Sequence, residues 1–400
     1  MGAVYTNRMM RLMATLKPVT DLLNDPVFNQ RNEDRLSCDF ALGNPQEMPL
    51  QGFVDALGRA LHPKDKDWFA YKLSEQPSRE IMAGALFHWR GIEFDPDDIF
   101  MTNGAFGGLA VTLSTIIDPG DEVIFISPPW FFYEAMIISY GGEPIRVKVD
   151  PDTLSLDLDA IEAAITPRTR AIIINSPNNP TGKIYSPESL TALGEILRAA
   201  SITHGHTVYL ISDESYSKII YDQREFPSPT RYYPYSFLIY TYGKTLLTPG
   251  QRIGYIAMPP DMPNREDLRP AVFVSQMITG YAFPNALLQH ALGDLEKLSI
   301  DIDHLQQKRD RMVRALADQG YELHNPEGTF YLLPRSPIPD DLAFAEMLKE
   351  EHIHVLPGSV CEMPGYFRLS LTASDEMIDR GLPGFGRAIQ RAKEKASSRA

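Results

Sequence analysis

The chain has 400 residues, 44% of them hydrophobic and 22% charged, with a formal net charge of −14. Single cores stop growing near ~250–300 residues, so this length predicts two domains with ordinary globular packing. The acidic balance argues against a nucleic-acid backbone or an anionic membrane as partner, and no apolar run reaches the ~18 residues of a membrane span. Cys38 and Cys361 are the two cysteines, too few for a disulfide framework or a structural zinc site, which suggests a reducing compartment. The amino terminus lacks the basic-then-apolar order of a signal peptide, and the cytoplasm is the expected location. Met1-Gly2 with Thr6 loosely fits a myristoylation pattern, read here as chance agreement.

The first 45 residues carry no core of their own and are expected to pack on a later unit. From about residue 99 to 259 short β-rich runs alternate with helical patterns. The strand candidates are Ile99–Thr102, Glu122–Ser127, Ile145–Val149, Ala171–Asn175, Thr207–Ser212, Phe237–Thr241 and Ile253–Ala257. Several are almost continuously apolar, as strands buried on both faces of a parallel sheet must be. Helices are predicted at Leu158–Ile165 and at Pro187–Ala199, the latter capped by Ser186 with proline in its first turn. Beyond Asn285 the pattern changes to one long helical region, Leu287–Leu316. Short strands near Gly328–Leu333 and Tyr366–Ser370 follow, with helices at Asp341–Glu350 and from Asp375 onward. The fold class expected is α/β, a large domain (46–285) with a mostly parallel central sheet, joined to a smaller α+β domain (1–45 and 286–400).

In open α/β sheets ligands gather beyond the carboxyl ends of the strands, and four segments stand out there. Asn178-Asn179-Pro180-Thr181-Gly182 follows one strand and reads equally as a turn or as an amide offered to a ligand. Ser212-Asp213-Glu214-Ser215-Tyr216 places a carboxylate at a strand end, where it can cap a helix or hold a cationic ring nitrogen protonated. Thr241-Tyr242-Gly243-Lys244 puts a lysine directly after a buried strand, where desolvation would free the amine as nucleophile and base. Gly243-Lys244-Thr245 imitates the end of a P-loop, but position 238 is leucine where that motif needs glycine. Finally, Phe367-Arg368-Leu369-Ser370 embeds an arginine in an apolar strand, where a carboxylate is its best partner, structural or from a ligand.

Taken together, these segments resemble the fold type I pyridoxal-phosphate (PLP) enzymes, and within them the class I/II aminotransferases related to aspartate aminotransferase. The resemblance runs from Gly43-Asn44-Pro45 to Arg368, with aspartate and tyrosine three apart and lysine and arginine eight apart. It implies that Lys244 forms a Schiff base with PLP and shuttles the substrate α-proton. Asp213 would pair with the pyridine nitrogen, while Asn179 and Tyr216 would bond the ring's phenolic oxygen. Trp130, in Ser127-Pro128-Pro129-Trp130, would stack on the ring. The phosphate would sit on the helix opened by Asn103-Gly104-Ala105-Phe106, with Thr241 and Arg252 completing the cup. Arg368, helped by backbone near Gly43 and by Asn179, would hold the substrate carboxylate. Tyr71 matches a tyrosine that reaches the neighbouring subunit's phosphate, implying a homodimer. No metal is implied. Phe131, Phe132 and Tyr133 are read as core or pocket wall, and His204 and His206 as surface or capping residues.

The chain departs from that pattern in three places. Gly243 stands where the family usually has serine before the lysine. Ser74-Glu75-Gln76-Pro77, after Tyr71, lacks the usual glycine. Phe106 stands where some members acting on acidic substrates carry lysine, which favours an apolar or aromatic amino donor. The expected reaction is ping-pong transfer of an amino group from an L-amino acid to a 2-oxo acid. The alternatives are another PLP reaction on the same scaffold (lyase, decarboxylase, racemase or oxidase) and a catalytically silent PLP-binding regulator. A nicotinamide dehydrogenase is disfavoured because the G-x-G-x-x-G fingerprint is absent.

Overall fold

The computed structural model describes residues 4–30, 34 and 36–397; the Met1-Gly2 pattern lies outside them. The strands in chain order are β1 (Cys38–Asp39), β2 (Ile99–Thr102), β3 (Glu122–Ser127), β4 (Glu143–Lys148), β5 (Thr169–Asn175) and β6 (Tyr209–Asp213). They continue as β7 (Ser236–Thr241), β8 (Gly254–Ala257), β9 (Tyr331–Leu332), β10 (Ile353–His354), β11 (Leu356–Pro357) and β12 (Phe367–Ser370). Seven form one sheet in the order β2-β8-β7-β6-β5-β3-β4. Only β8 runs against its neighbours in it; the other pairings are parallel. The apolar runs of β3, β5 and β7 are buried along nearly their whole length, because helices cover both faces of the sheet. Each such Ile or Phe side chain contributes roughly 1.5–3 kcal/mol by leaving water.

One face is covered by helix Gly104–Ile116, whose Leu109, Val111 and Leu113 are fully buried. The other is covered in part by Pro187–His204, which Ser186 caps by accepting the Ser189 amide and which Gly205 ends at φ +71°. The long helical region expected at 287–316 is two helices, Ala286–Leu295 and Ile302–Gln319. The break is built by Asp301, whose side chain accepts the His304 amide and starts a new helix. Within it the Ile300 amide donates to Thr245 O at 2.9 Å, next to Lys244. Although it follows residue 285, the first of these helices packs Leu288, Ala291, Leu292 and Leu295 into the cluster of Phe53, Met82 and Leu238 on the large sheet.

A second core gathers Phe330, Phe344, Phe367 and Phe385 around the antiparallel sheet β11-β12-β9. The amino-terminal segment joins it through β1, which pairs parallel with β10, and through Cys38 and Phe40. The segment before β1 touches both units. Arg11 pairs with Glu143 of the large sheet at 2.7 Å, whereas Val19 packs on Leu356 and Val360. Cys38 and Cys361 are free and buried, and no helix among the described residues is long and apolar enough to cross a membrane.

Candidate active site

Strand order alone draws the cleft. The parallel strands β2, β5, β6 and β7 end on one edge of the sheet, at Thr102, Asn175, Asp213 and Thr241, and antiparallel β8 begins there at Gly254. The cleft at this edge is lined by Ala105, Phe106, Trp130, Asn175, Asn179, Asp213, Ser215, Tyr216, Thr241, Gly243, Lys244, Pro249 and Arg252. Residues up to 147 positions apart thus share one cavity because their strands share one edge.

Lys244 sits in the short helix Tyr242–Thr245, begun where the Thr241 hydroxyl accepts the Gly243 amide. Its Nζ lies 5.6 Å from the centre of the Tyr216 ring and 5.8 Å from that of Phe330. Asp213 is 5% exposed. One carboxylate oxygen accepts from the Ser215 hydroxyl at 2.6 Å and the Ser215 amide at 3.1 Å; the other accepts from Tyr133 Oη at 2.6 Å. Burial pushes the Asp213 carboxyl above its usual range, and these bonds together with the Lys244 charge pull against that. A donor such as a protonated ring nitrogen would complete the opposition.

At the other end of the cleft, Gly104 opens its helix at φ +77°. A Cβ there would stand 2.8 Å from Arg252 Nη2 and 3.1 Å from Thr241 Oγ1, so glycine is what lets the three converge. The helix has no side-chain cap, and the buried Asn103 Oδ1 has no hydrogen-bond partner. Arg252 donates to Pro249 O at 2.7 Å and makes no ion pair among the described residues. Free helix amides beside an unpaired arginine are suited to an anion such as a phosphate.

Arg368 enters from β12. It is 3% exposed, donates to Asn179 Oδ1 at 2.9 Å and to Ala41 O at 3.0 Å, and its Nε has no partner. No carboxylate among the described residues pairs with it, so the structural salt bridge is absent. A buried guanidinium left in that state is costly unless an anionic ligand completes it. Gly43 lies beside it: a Cβ there would fall 2.5 Å from Tyr331 Oη.

Tyr71 is not brought into this cleft. It is 86% exposed and packs on Phe283, with ring centres 4.8 Å apart. Conversely, three polar groups in or behind the cleft carry hydrogen bonds not expected from the sequence. Asn175 bridges Asp213 O and the Asn179 amide, a role signalled only by a polar residue closing an apolar strand. Tyr133, read as pocket wall, bonds Asp213. Tyr331 receives a bond from Tyr216 Oη at 3.4 Å.

The model of the family described as aminotransferase class I and II matches residues 67–384. The chain belongs to that family. It is 31% identical over 395 residues to the aspartate/prephenate aminotransferase of Thermus thermophilus, covering 96% of this chain and 99% of that protein. Among solved structures, an aminotransferase from Eubacterium rectale superposes with a TM-score of 0.88 at 28% identity, over 98% of this chain and 100% of the other. Thermus thermophilus aspartate aminotransferase with maleate gives 0.82 at 28% identity, over 97% and 100%. The α/β fold with a mostly parallel sheet is that of these aminotransferases, and the chain is a PLP-dependent transaminase.

For this aminotransferase, Asp213 carries a stability consequence. Its folded-state pKa lies above the unfolded one, so the carboxyl costs nothing below the unfolded value, and stability falls as pH rises through the folded value. Asp213→Asn removes this titration and is expected to flatten the fall of the cofactor-free protein's thermal midpoint with rising pH. Scanning fluorimetry across pH checks it; an unchanged slope would contradict the sign.

Proposed function

We propose that this aminotransferase takes the amino group of an L-amino acid with an apolar or aromatic side chain and delivers it to a 2-oxo acid in two alternating half-reactions. The observation that carries this reading is one cleft holding the Lys244 amine and the Asp213 carboxylate, with the unpaired Arg368 guanidinium bonded to its Asn179. PLP fits the residues present: Gly104, Ala105 and Phe106 open the helix toward its phosphate, with Thr241 and Arg252 beside them. Asp213 meets its ring nitrogen, Asn179 and Tyr216 its phenolic oxygen, and Trp130 its face. When bound, PLP supplies a carbonyl for the amino nitrogen and a ring that accepts the electron pair of the deprotonated α-carbon.

The chain's own residues do the rest. Arg368 binds the substrate carboxylate as a bidentate partner, with Gly43 close by, which fixes the α-carbon over Lys244. The Lys244 amine removes the α-proton and would deliver it to the cofactor's C4′ carbon, two atoms along. Asp213, held by Tyr133 and Ser215, keeps a negative charge against the ring nitrogen. Phe106 sets its ring 5.3 Å from Trp130 and 5.5 Å from Phe132, an aromatic wall. Among the described residues, the cations lining the cleft, Lys244 and Arg252, already have tasks, which leaves none of these for a second substrate carboxylate.

The Thermus relative is named for aspartate and prephenate, so the donor is where this chain is expected to differ. Phe106→Lys should raise kcat/KM for aspartate relative to phenylalanine by about tenfold or more, since a desolvated charge pair is worth at least ~1.4 kcal/mol. An unchanged ratio on a donor panel would remove Phe106 from donor selection. Exposed Tyr71, beside the part-exposed Phe69 and Phe283, supports a homodimer in which it reaches the partner subunit's phosphate cup. The free buried thiols support a cytoplasmic location.

A further inference from the structure

We infer that Tyr331 is a positioning residue that links the substrate-carboxylate arginine to Tyr216: its ring carries the Arg368 guanidinium and its hydroxyl shares a hydrogen bond with Tyr216 Oη. The inference rests on the roles proposed above for Arg368 and Tyr216. The Arg368 guanidinium carbon lies 4.0 Å from the centre of the Tyr331 ring, closer than the other cation–ring contacts among the described residues. Tyr216 Oη donates to Tyr331 Oη at 3.4 Å, and the rings meet edge to face at 5.9 Å. Tyr331 is 3% exposed, and Gly43 has no side chain to displace its hydroxyl. One phenol therefore touches the carboxylate site and a residue on the cofactor side.

The charges around it give the link a direction. Burial alone would raise the Tyr331 phenol. The charges of Arg368 and Lys244 and the bond from Tyr216 outweigh it, against a small opposing effect of Cys361, and hold the phenol below its usual value. Tyr216, buried beside it, is pushed well above its own. Tyr216 has one hydroxyl proton, and without substrate it is directed at Tyr331, so Tyr331 competes for it with the cofactor's phenolic oxygen.

Three variants of the PLP-loaded enzyme test this. Tyr331→Phe keeps the ring and loses the hydroxyl. Without substrate, the pH midpoint of the bound cofactor's visible absorbance should fall by about half a unit, with KM changed by less than about twofold. Tyr331→Leu loses the ring as well, and KM for the donor should rise about tenfold. Arg368→Ala is the control. If it raises KM while the Phe variant leaves the midpoint unmoved or raises it, the Tyr331 link is overturned alone. If Arg368→Ala leaves KM unchanged, the underlying assignment of the carboxylate site falls instead.

Discussion

Lys244→Ala is expected to lower kcat by at least about 10^4-fold while the protein still binds PLP without a covalent bond. Among the described residues no other lysine lines the cleft. Lys218, also near the buried strands, pairs with Glu296 and faces the rings of Trp89, Tyr240 and Tyr242. It cannot substitute without breaking that ion pair. The loss is compounded electrostatically, because the Lys244 charge is one of the influences that pull the Asp213 and Tyr331 pKa values down. Single-turnover measurement with the best donor, together with mass spectrometry of the borohydride-reduced protein, separates lost chemistry from lost cofactor. Turnover within tenfold of the parent enzyme would remove Lys244 from its role.

Arg368→Ala is expected to act on a different constant. In the proposed role its guanidinium would bind the substrate carboxylate before and during the reaction alike, so its loss should appear mainly in KM, by about two to three orders of magnitude. The figure reflects a desolvated pair, since Arg368 is buried and no carboxylate among the described residues pairs with it. The variant also leaves Asn179 Oδ1 and Ala41 O without their donor, so Arg368→Lys is a useful companion. A lysine keeps the charge but loses the fork and is expected to recover only part of the affinity. Steady-state kinetics with one donor decides; an unchanged KM would mean that the substrate carboxylate binds elsewhere.

Much of this was legible in the chain because it is written locally. Strands β2 and β3 have the expected ends, since a buried parallel strand is a continuous apolar run stopped by polar or turn residues. The cleft residues fall at those stops: Asn175, Asp213 and Thr241 each close a strand. Tertiary partners were not legible in the same way. Tyr133 and Tyr331 lie in apolar runs where a phenol resembles any ring, and only the approach of Asp213 to one and of Tyr216 to the other gives the hydroxyls work. The split of the 287–316 region turns on Asp301, a residue as acceptable inside an exposed helix face as at its cap. The amino-terminal segment was expected to pack on the small unit, yet the Arg11–Glu143 pair attaches its first helix to the large sheet. Two exposed side chains more than a hundred positions apart leave no trace in any periodicity.

The central claim is that one cleft transfers an amino group through Lys244 and bound PLP. It is tested most directly by titrating the PLP-loaded protein with single amino acids in the absence of an acceptor, following the cofactor's visible absorbance. The account predicts that an apolar or aromatic L-amino acid bleaches the band, and that adding a 2-oxo acid restores it without release of ammonia or carbon dioxide. A band that no amino acid bleaches, or bleaching accompanied by ammonia or carbon dioxide and not reversed by any 2-oxo acid, would contradict it.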